Sequence, residues 1–248
     1  MLKRFVPTVA ALALLASGAA LANEALKKTL QEKVPQLPIE SISKSPLPGF
    51  YEVVANGTIF YADEKGQYLI LPERVLDLDA KKDILEERML KLTGIRFDAL
   101  PLDLAFKNVK GSGKRRLAVF SDPDCPYCRR LEQDLTKLND VTVYTFLLPI
   151  EQLHPAAPEK AKAVWCSADR QKTWSALMLN NVAPSGAKSC ENPVEKIAAF
   201  AQQKHINATP TMFLADGTRI SGAKPAAELD RLMNEADARC AKEGKSLC

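Results

Sequence analysis

The stretch from residue 117 to residue 148 constrains the fold of this chain more than any other part of its sequence. Residues 117–120 are a short apolar run, and residues 141–148 form a second, β-rich run. Between them, residues 126–138 carry leucines at the spacing of one helix face. A strand, a helix and a strand in this order predict a βαβ unit whose two strands are parallel and buried.

Two cysteines stand where the first of these strands meets the helix, in the order Cys125-Pro126-Tyr127-Cys128. Two intervening residues let both sulfurs meet within one helical turn, so the pair can exchange between a dithiol and a disulfide. Unpaired N–H groups at a helix N-terminus favour the Cys125 thiolate. Pro126 is tolerated in the first turn because its missing N–H would have no partner there. The placement predicts a redox-active pair.

A static disulfide and half of a zinc site are the alternatives for this pair. Zinc usually takes four cysteine or histidine ligands, commonly with a second close pair. The other cysteines are isolated, and His154 and His205 are far apart in sequence. We therefore favour redox catalysis and expect neither a metal nor a cofactor. Asp122 and Asp124 precede the pair and oppose a thiolate, so the sequence alone leaves the pKa of Cys125 open.

The N-terminal residues predict export. Lys3 and Arg4 precede an apolar stretch over residues 5–21, and residues 20–22 have the small-x-small pattern of a signal-peptide cleavage site. We expect a signal peptide over residues 1–22, cleaved after Ala22, rather than a retained membrane anchor. No second apolar span of about 20 residues follows. Export would place all six cysteines in an oxidising compartment, where disulfides persist.

Residues 23–78 predict a small α+β domain. A short amphipathic helix is expected over residues 23–34, and several prolines then break regular structure. An antiparallel meander follows, in which Asn56-Gly57 supplies a hairpin turn. The predicted strands are 50–55, 58–62 and 67–71. A segment this short has a marginal core, so we expect a homodimer through an exposed edge of this sheet.

A helix is predicted over residues 79–92, with Asp79 as its N-cap and Gly94 beyond its end. Because it separates two β-containing blocks, we interpret residues 79–99 as a linker helix. An internal helix of one continuous domain is the alternative. Residues 100–248 are predicted to form an α/β domain. Further helical blocks are expected at 158–179, 193–204 and 225–241, with a hairpin at 211–221.

The charge balance argues against nucleic acid as a partner. The chain has 34 lysines and arginines and 30 acidic residues, a net charge of +4 with both signs interspersed. A strongly basic face is the usual mark of a nucleic-acid binder. His154, flanked by Leu153 and Pro155, is interpreted as a surface loop residue, and the two tryptophans as core residues.

These features together resemble a known family. Residues 120–128, Phe-Ser-Asp-Pro-Asp-Cys-Pro-Tyr-Cys, with Thr209-Pro210 ahead of a hairpin, are similar to the thioredoxin fold. The export signal, the small N-terminal β domain, the linker helix and Trp165-Cys166 with Cys190 resemble the periplasmic DsbC/DsbG disulfide isomerases. The resemblance implies an α+β N-terminal dimerisation domain, joined by a linker helix to an α/β thioredoxin-like catalytic domain with a helical insertion.

The resemblance also implies roles for the motif residues. Cys125 would be the attacking thiolate and Cys128 the resolving thiol, with Pro126 and Tyr127 tuning the redox potential. Pro210 would be cis and opposite the cysteine pair, turning the backbone of Thr209 outward to pair with a substrate segment. Substrates would be misfolded, disulfide-containing secreted proteins in the periplasm. A membrane-embedded reductase of the DsbD type would keep the site reduced.

Four further cysteines remain. The resemblance implies a structural disulfide between Cys166 and Cys190. Cys240 and Cys248 depart from the family pattern, and Gly244 allows the chain to reverse between them. We expect a local disulfide there, with an intermolecular bond or two free thiols as the alternatives.

A disulfide isomerase and reductase is the function that these features favour. Two other functions stay open: a DsbG-like reductase of sulfenylated cysteines, and a holdase chaperone whose cleft binds unfolded chains.

Overall fold

The structure, a computed structural model, describes residues 13–185, 187, 189–243 and 248. The chain divides into two compact units, with the boundary between Arg88 and Met89. Within the described residues, no helix combines the length and apolar character that crossing a bilayer requires. The first twelve residues of the predicted signal peptide, including Lys3 and Arg4, lie outside the described part.

The first unit is built on an antiparallel sheet in the order β1-β2-β3-β4. Its elements are α1 (Ala13–Lys33), β1 (Ile39–Lys44), β2 (Phe50–Ala55), β3 (Thr58–Asp63) and β4 (Leu69–Ile70). The hairpin predicted at Asn56-Gly57 is confirmed, and both residues have positive φ, 51° and 66°. Leu26 and Leu30 of α1 pack in one buried cluster with Val53 of the sheet.

Strand β1 was missed by the sequence analysis, which treated the prolines around it as breaking regular structure. Pro38 and Pro46 flank the strand instead of interrupting it, and β1 pairs with β2. A proline outside the ends of a strand removes no hydrogen bond from the ladder.

The start predicted for the linker helix is wrong. Two short strands, β5 (Leu76–Asp77) and β6 (Lys82–Asp83), pair antiparallel before α2 (Ile84–Thr93) begins. The Asp77 carboxylate accepts the amide of Ala80 at 2.8 Å, and Lys81 has a φ of 53°, which closes a turn where helix was expected. Asp83, and not Asp79, caps the helix by accepting the amide of Glu86 at 3.3 Å.

The second unit has a five-stranded sheet in the order β11-β10-β8-β9-β7. Its strands are β7 (Phe106–Lys110), β8 (Arg115–Ser121), β9 (Val141–Leu147), β10 (Thr211–Leu214) and β11 (Arg219–Ser221). Its helices are α3 (Pro126–Leu135), α4 (Ala157–Trp165), α5 (Arg170–Asn180), α6 (Val194–Gln203) and α7 (Ala226–Glu243), with short 3₁₀ turns at Phe97–Ala99 and Leu102–Leu104. Strands β8 and β9 are parallel, so the predicted βαβ unit is confirmed. Edge strand β7 was not predicted.

Both faces of β8 are buried over residues 117–120, which explains why these four residues are all apolar. Leu117 and Val119 pack in a cluster with residues of α3 and α7. Ala118 and Phe120 face the other side, in a cluster with residues of α6. Alternate side chains of a strand point to opposite faces of the sheet, so helices cover both. This sandwich holds the carboxyl end of β8, and the cysteine pair that follows it, in a fixed position.

The helical block predicted over residues 158–179 is two helices, α4 and α5. The break occurs because Asp169 caps α5, with its carboxylate accepting the amide of Lys172 at 2.9 Å.

Candidate active site

Cys125 is the N-cap residue of α3, and Pro126 is in the first turn. The Cys125 carbonyl accepts the amide of Arg129 at 3.1 Å, and its own amide donates to the Asp122 carbonyl at 3.2 Å. Cys128 lies one turn further along the helix and is fully buried, whereas Cys125 keeps 4% of its surface exposed. Neither cysteine is in a disulfide. The structure therefore holds a dithiol at the start of a helix.

The two thiols differ strongly in acidity. A hydrogen bond from the Cys128 thiol, with help from the backbone amides of Cys128 and Tyr127, lowers the pKa of Cys125 to about 6, although burial opposes this. Burial, and then the hydrogen bond to Cys125, raises the pKa of Cys128. At neutral pH the pair therefore consists of one thiolate and one thiol that donates to it.

Thr209 and Pro210 lie against this pair. The Thr209–Pro210 peptide bond is cis. The Sγ atom of Cys125 lies 3.4 Å from the Thr209 carbonyl oxygen. The structure thus brings together Cys125, Cys128 and Thr209, although Thr209 is 84 residues away from Cys125 in sequence.

Pro126 and Tyr127 sit between the cysteines on the outer side of the helix start. The Tyr127 side chain is exposed. Below the pair lies an apolar cluster that contains both cysteines, Trp165 and Trp174. The interpretation of the two tryptophans as core residues is confirmed.

Asp122 organises the turn before the cysteines. Its side chain has no exposed surface and accepts the amides of Asp124 at 2.7 Å and of Ile150 at 2.6 Å. Its backbone amide points at the Sγ atom of Cys128, 3.5 Å away. The carboxylate of Asp122 is therefore a structural acceptor as well as a negative charge near the thiolate.

His154 lies in a loop, as predicted, but it is only partly exposed and it contacts a buried acid. Its Nδ1 atom lies 3.0 Å from Asp122 Oδ2, and three quarters of its side chain is covered. Lys160 of α4 donates in the same way to Asp124 Oδ1. Both contacts join the segment after β9 to the turn before the cysteines, and neither leaves a local signal in the sequence.

The remaining cysteines form two disulfides. Cys166 is bonded to Cys190, and Cys240 to Cys248. Gly244, where we expected the chain to reverse, lies outside the described residues. Among the residues that the structure describes, no cluster of histidine, cysteine or acidic side chains has the composition of a metal site.

Two family models match this chain. The disulfide bond isomerase protein N-terminal domain matches residues 17–86, and the thioredoxin-like domain matches residues 102–237. The boundary between the two compact units, at Arg88, falls between the two matches.

Individual proteins similar to this chain are thiol:disulfide interchange proteins. The probable thiol:disulfide interchange protein DsbC of Bordetella avium is 38% identical over 207 residues, covering 84% of this chain and 73% of that protein. The thiol:disulfide interchange protein DsbC of Escherichia coli is 26% identical over 225 residues, covering 88% and 91%. A crystal structure of a disulfide interchange protein from Neisseria gonorrhoeae covers 55% of this chain and 98% of its own, with 43% identity and a TM-score of 0.54. This chain belongs to the DsbC family of thiol:disulfide interchange proteins.

Proposed function

We propose that this chain is a periplasmic isomerase and reductase of non-native disulfides, with Cys125 as the nucleophile and Cys128 as the resolving thiol. The observation that carries the proposal is the unequal acidity of the two thiols. A thiol whose pKa is about 6 is mostly thiolate at neutral pH. Thiolate, and not thiol, is the species that attacks a disulfide.

The first step forms a mixed disulfide. The Cys125 thiolate attacks one sulfur of a substrate disulfide, and the other substrate sulfur leaves as a thiolate. One S–S bond forms and one breaks, so there is no net oxidation. The Thr209 backbone, beside the Cys125 sulfur, is placed to pair with the substrate segment next to the attacked bond.

Two routes lead out of the mixed disulfide. In isomerisation, another substrate thiolate attacks the substrate sulfur that is bonded to Cys125, which forms a new substrate disulfide and releases the Cys125 thiolate. In reduction, Cys128 loses its proton and attacks the Cys125 sulfur, which releases the substrate as a dithiol and leaves a Cys125–Cys128 disulfide. Two electrons have then passed to the substrate, and a reductase of the DsbD type restores the dithiol.

Two further features support a periplasmic location. The N-terminal residues have the composition of a signal peptide, for which we propose cleavage after Ala22. Two disulfides lie outside the redox pair, and disulfides of this kind persist in oxidising compartments.

The edge strand β4 supports a homodimer. Within the part of the chain that the structure describes, it ends the sheet of the first unit and pairs on one side only, with β3. Ile70 in this strand, and Tyr68 and Leu71 directly before and after it, are large side chains that stay exposed. An open strand edge with exposed apolar side chains is a template for pairing with another strand. We propose that the edge of a second copy covers it.

Placing a charge on this edge should lower the isomerase activity much more than the reductase activity. In Leu71→Asp, the buried charge at the subunit contact should give a monomer by sedimentation equilibrium. Ribonuclease reactivation should fall by at least about tenfold, because a substrate that is held by one subunit alone dissociates before it rearranges. Insulin reduction, which needs only one cysteine pair, should stay within about twofold.

Val109→Lys is the matched control, since Val109 is an exposed apolar residue on β7, an edge strand of the other sheet. It should remain dimeric and active. A dimeric Leu71→Asp variant with full reactivation would contradict the assignment of the β4 edge.

Reactivation of scrambled ribonuclease in a glutathione buffer tests the function itself. The native protein should restore ribonuclease activity, and alkylation of its free thiols, Cys125 and Cys128, should remove the effect. Equal reactivation by the alkylated protein would overturn the thiol mechanism. Absence of reactivation by either form, with equal suppression of aggregation by both, would assign the chain to holdase chaperones instead.

A further inference from the structure

A buried carboxylate lies directly beside the redox pair. The Asp122 side chain has no exposed surface, and its residue is joined to both cysteines through its backbone. Its carbonyl accepts the Cys125 amide and its amide points at the Cys128 sulfur. An uncompensated negative charge at this position would oppose the thiolate, since like charges at short range disfavour each other's ionised form.

Each acid of the turn has a cation of its own. Asp122 is paired with His154, and Asp124 is paired with Lys160. A carboxylate only accepts hydrogen bonds, so the Nδ1 atom of His154, 3.0 Å from Asp122 Oδ2, must carry a proton. Of the side chains that carry a positive charge, imidazole is the one that ordinarily gains or loses this charge near neutrality.

We propose that His154 is a positioning residue of the exchange reaction: as an imidazolium held on Asp122, it cancels the buried charge that would otherwise oppose the Cys125 thiolate. The inference rests on the proposed role of Cys125 as the nucleophile. In this role His154, which lies outside the cysteine motif, controls the pH range in which Cys125 is reactive.

The direction of the pH dependence follows from the charges that face His154. Its hydrogen bond to Asp122 raises the pKa of His154, and the negative charges of Asp122, Cys125 and Asp124 add to this, while burial opposes it. Below this raised pKa the imidazolium offsets Asp122. Above it His154 is neutral, and Asp122 opposes the thiolate. Loss of the His154 proton should therefore make Cys125 harder to ionise.

The coupling is reciprocal, so the redox state of the pair should change the titration of His154. The chain has two histidines, His154 and His205, so the imidazole Hε1 protons give two resonances. His205→Asn assigns them, and asparagine suits the positive φ of 52° at this exposed site. The His154 midpoint should be lower by roughly 0.5 pH unit in the oxidised protein, which has no thiolate, than in the reduced protein. Equal midpoints in the two forms would overturn the proposal, and this comparison needs no variant at the site.

A second test removes the charge and keeps the hydrogen bond. Asparagine places an amide N–H near the position of Nδ1, so His154→Asn should still donate to Asp122 without a positive charge. The Cys125 midpoint, followed by thiolate absorbance at 240 nm, should rise by roughly 0.5–1 pH unit. Alkylation at pH 6 should slow by about twofold to fivefold, and alkylation at pH 9 should not change.

His205→Asn is the control and should match the wild type throughout. A His154→Asn profile that coincides with the wild type would overturn the role of His154 and leave the proposed function standing. Failure of the wild type itself to be alkylated faster than an ordinary thiol at pH 6 would instead overturn the role of Cys125, and the inference with it.

Discussion

Replacing Cys125 with serine should abolish both disulfide isomerisation and disulfide reduction, while replacing Cys128 with serine should leave the attack intact and trap the substrate. A serine hydroxyl does not ionise near neutrality and forms no S–S bond, so Cys125→Ser should lose at least about a thousandfold in ribonuclease reactivation and in insulin reduction. In Cys128→Ser the Cys125 thiol remains, and the serine hydroxyl can replace the Cys128 thiol as the donor that lowers its pKa, but the intramolecular route out of the mixed disulfide is gone.

Mass spectrometry after acid quenching separates the two variants. Cys128→Ser should accumulate a covalent adduct of one substrate chain on Cys125, and Cys125→Ser should show none. The double variant Cys240→Ser/Cys248→Ser is the control, because it also replaces a cysteine pair by serines and should keep its activity. Substantial reactivation by Cys125→Ser, or an adduct located on Cys128, would contradict the assignment.

The cysteine site could be predicted from sequence because the signals that define it are local. Residues 117–120 are apolar, and Cys125 and Cys128 follow within a few positions, so one short segment specifies a buried strand and the start of a helix. The parallel pairing of β8 with β9 then follows from the connecting helix. Thr209-Pro210 was found only through the family resemblance, since no local pattern places it opposite Cys125.

The errors arose where tertiary contacts or competing turns decide the structure. Asp79 and Asp83 are equivalent as N-cap candidates by residue type, and the hairpin of β5 and β6 selects Asp83. His154 has no periodic or motif signal, because its partner Asp122 is 32 residues away. The contact between these two residues depends on the path by which the segment after β9 returns to the end of β8, and no local sequence pattern specifies that path.

Glu132 is another ionisable group that sequence patterns did not single out, and we expect it to dominate the pH dependence of stability. It lies on α3 with 8% of its surface exposed, and Oε1 accepts the indole N–H of Trp174 at 2.7 Å. Burial raises the pKa of Glu132 to about 7, while Trp174 and the charge of Lys110 oppose this.

The sign of the effect follows from proton linkage. An unfolded glutamate titrates near a pKa of about 4.3, so between about pH 4 and pH 7 the folded state binds more protons than the unfolded one. Stability should therefore fall as the pH rises through this window, by roughly 3.5 kcal/mol in total, and stay low above it.

Glu132→Gln should remove this loss, because glutamine keeps the acceptor for Trp174 and carries no charge to bury. Urea unfolding at pH 5 should give free energies of unfolding that differ by only about 1 kcal/mol between variant and wild type, whereas at pH 8 the variant should be more stable by roughly 3.5 kcal/mol. Glu195→Gln, the same change at an exposed position of α6, should leave the pH profile of the wild type in place.

Parallel profiles of Glu132→Gln and wild type from pH 5 to pH 8 would contradict the prediction. They would mean that ionising the Glu132 carboxyl costs no more free energy in the folded protein than in the unfolded chain. Lys110, the cation whose charge opposes the raised pKa, would then have to compensate it fully, and Lys110→Met should restore the fall in stability.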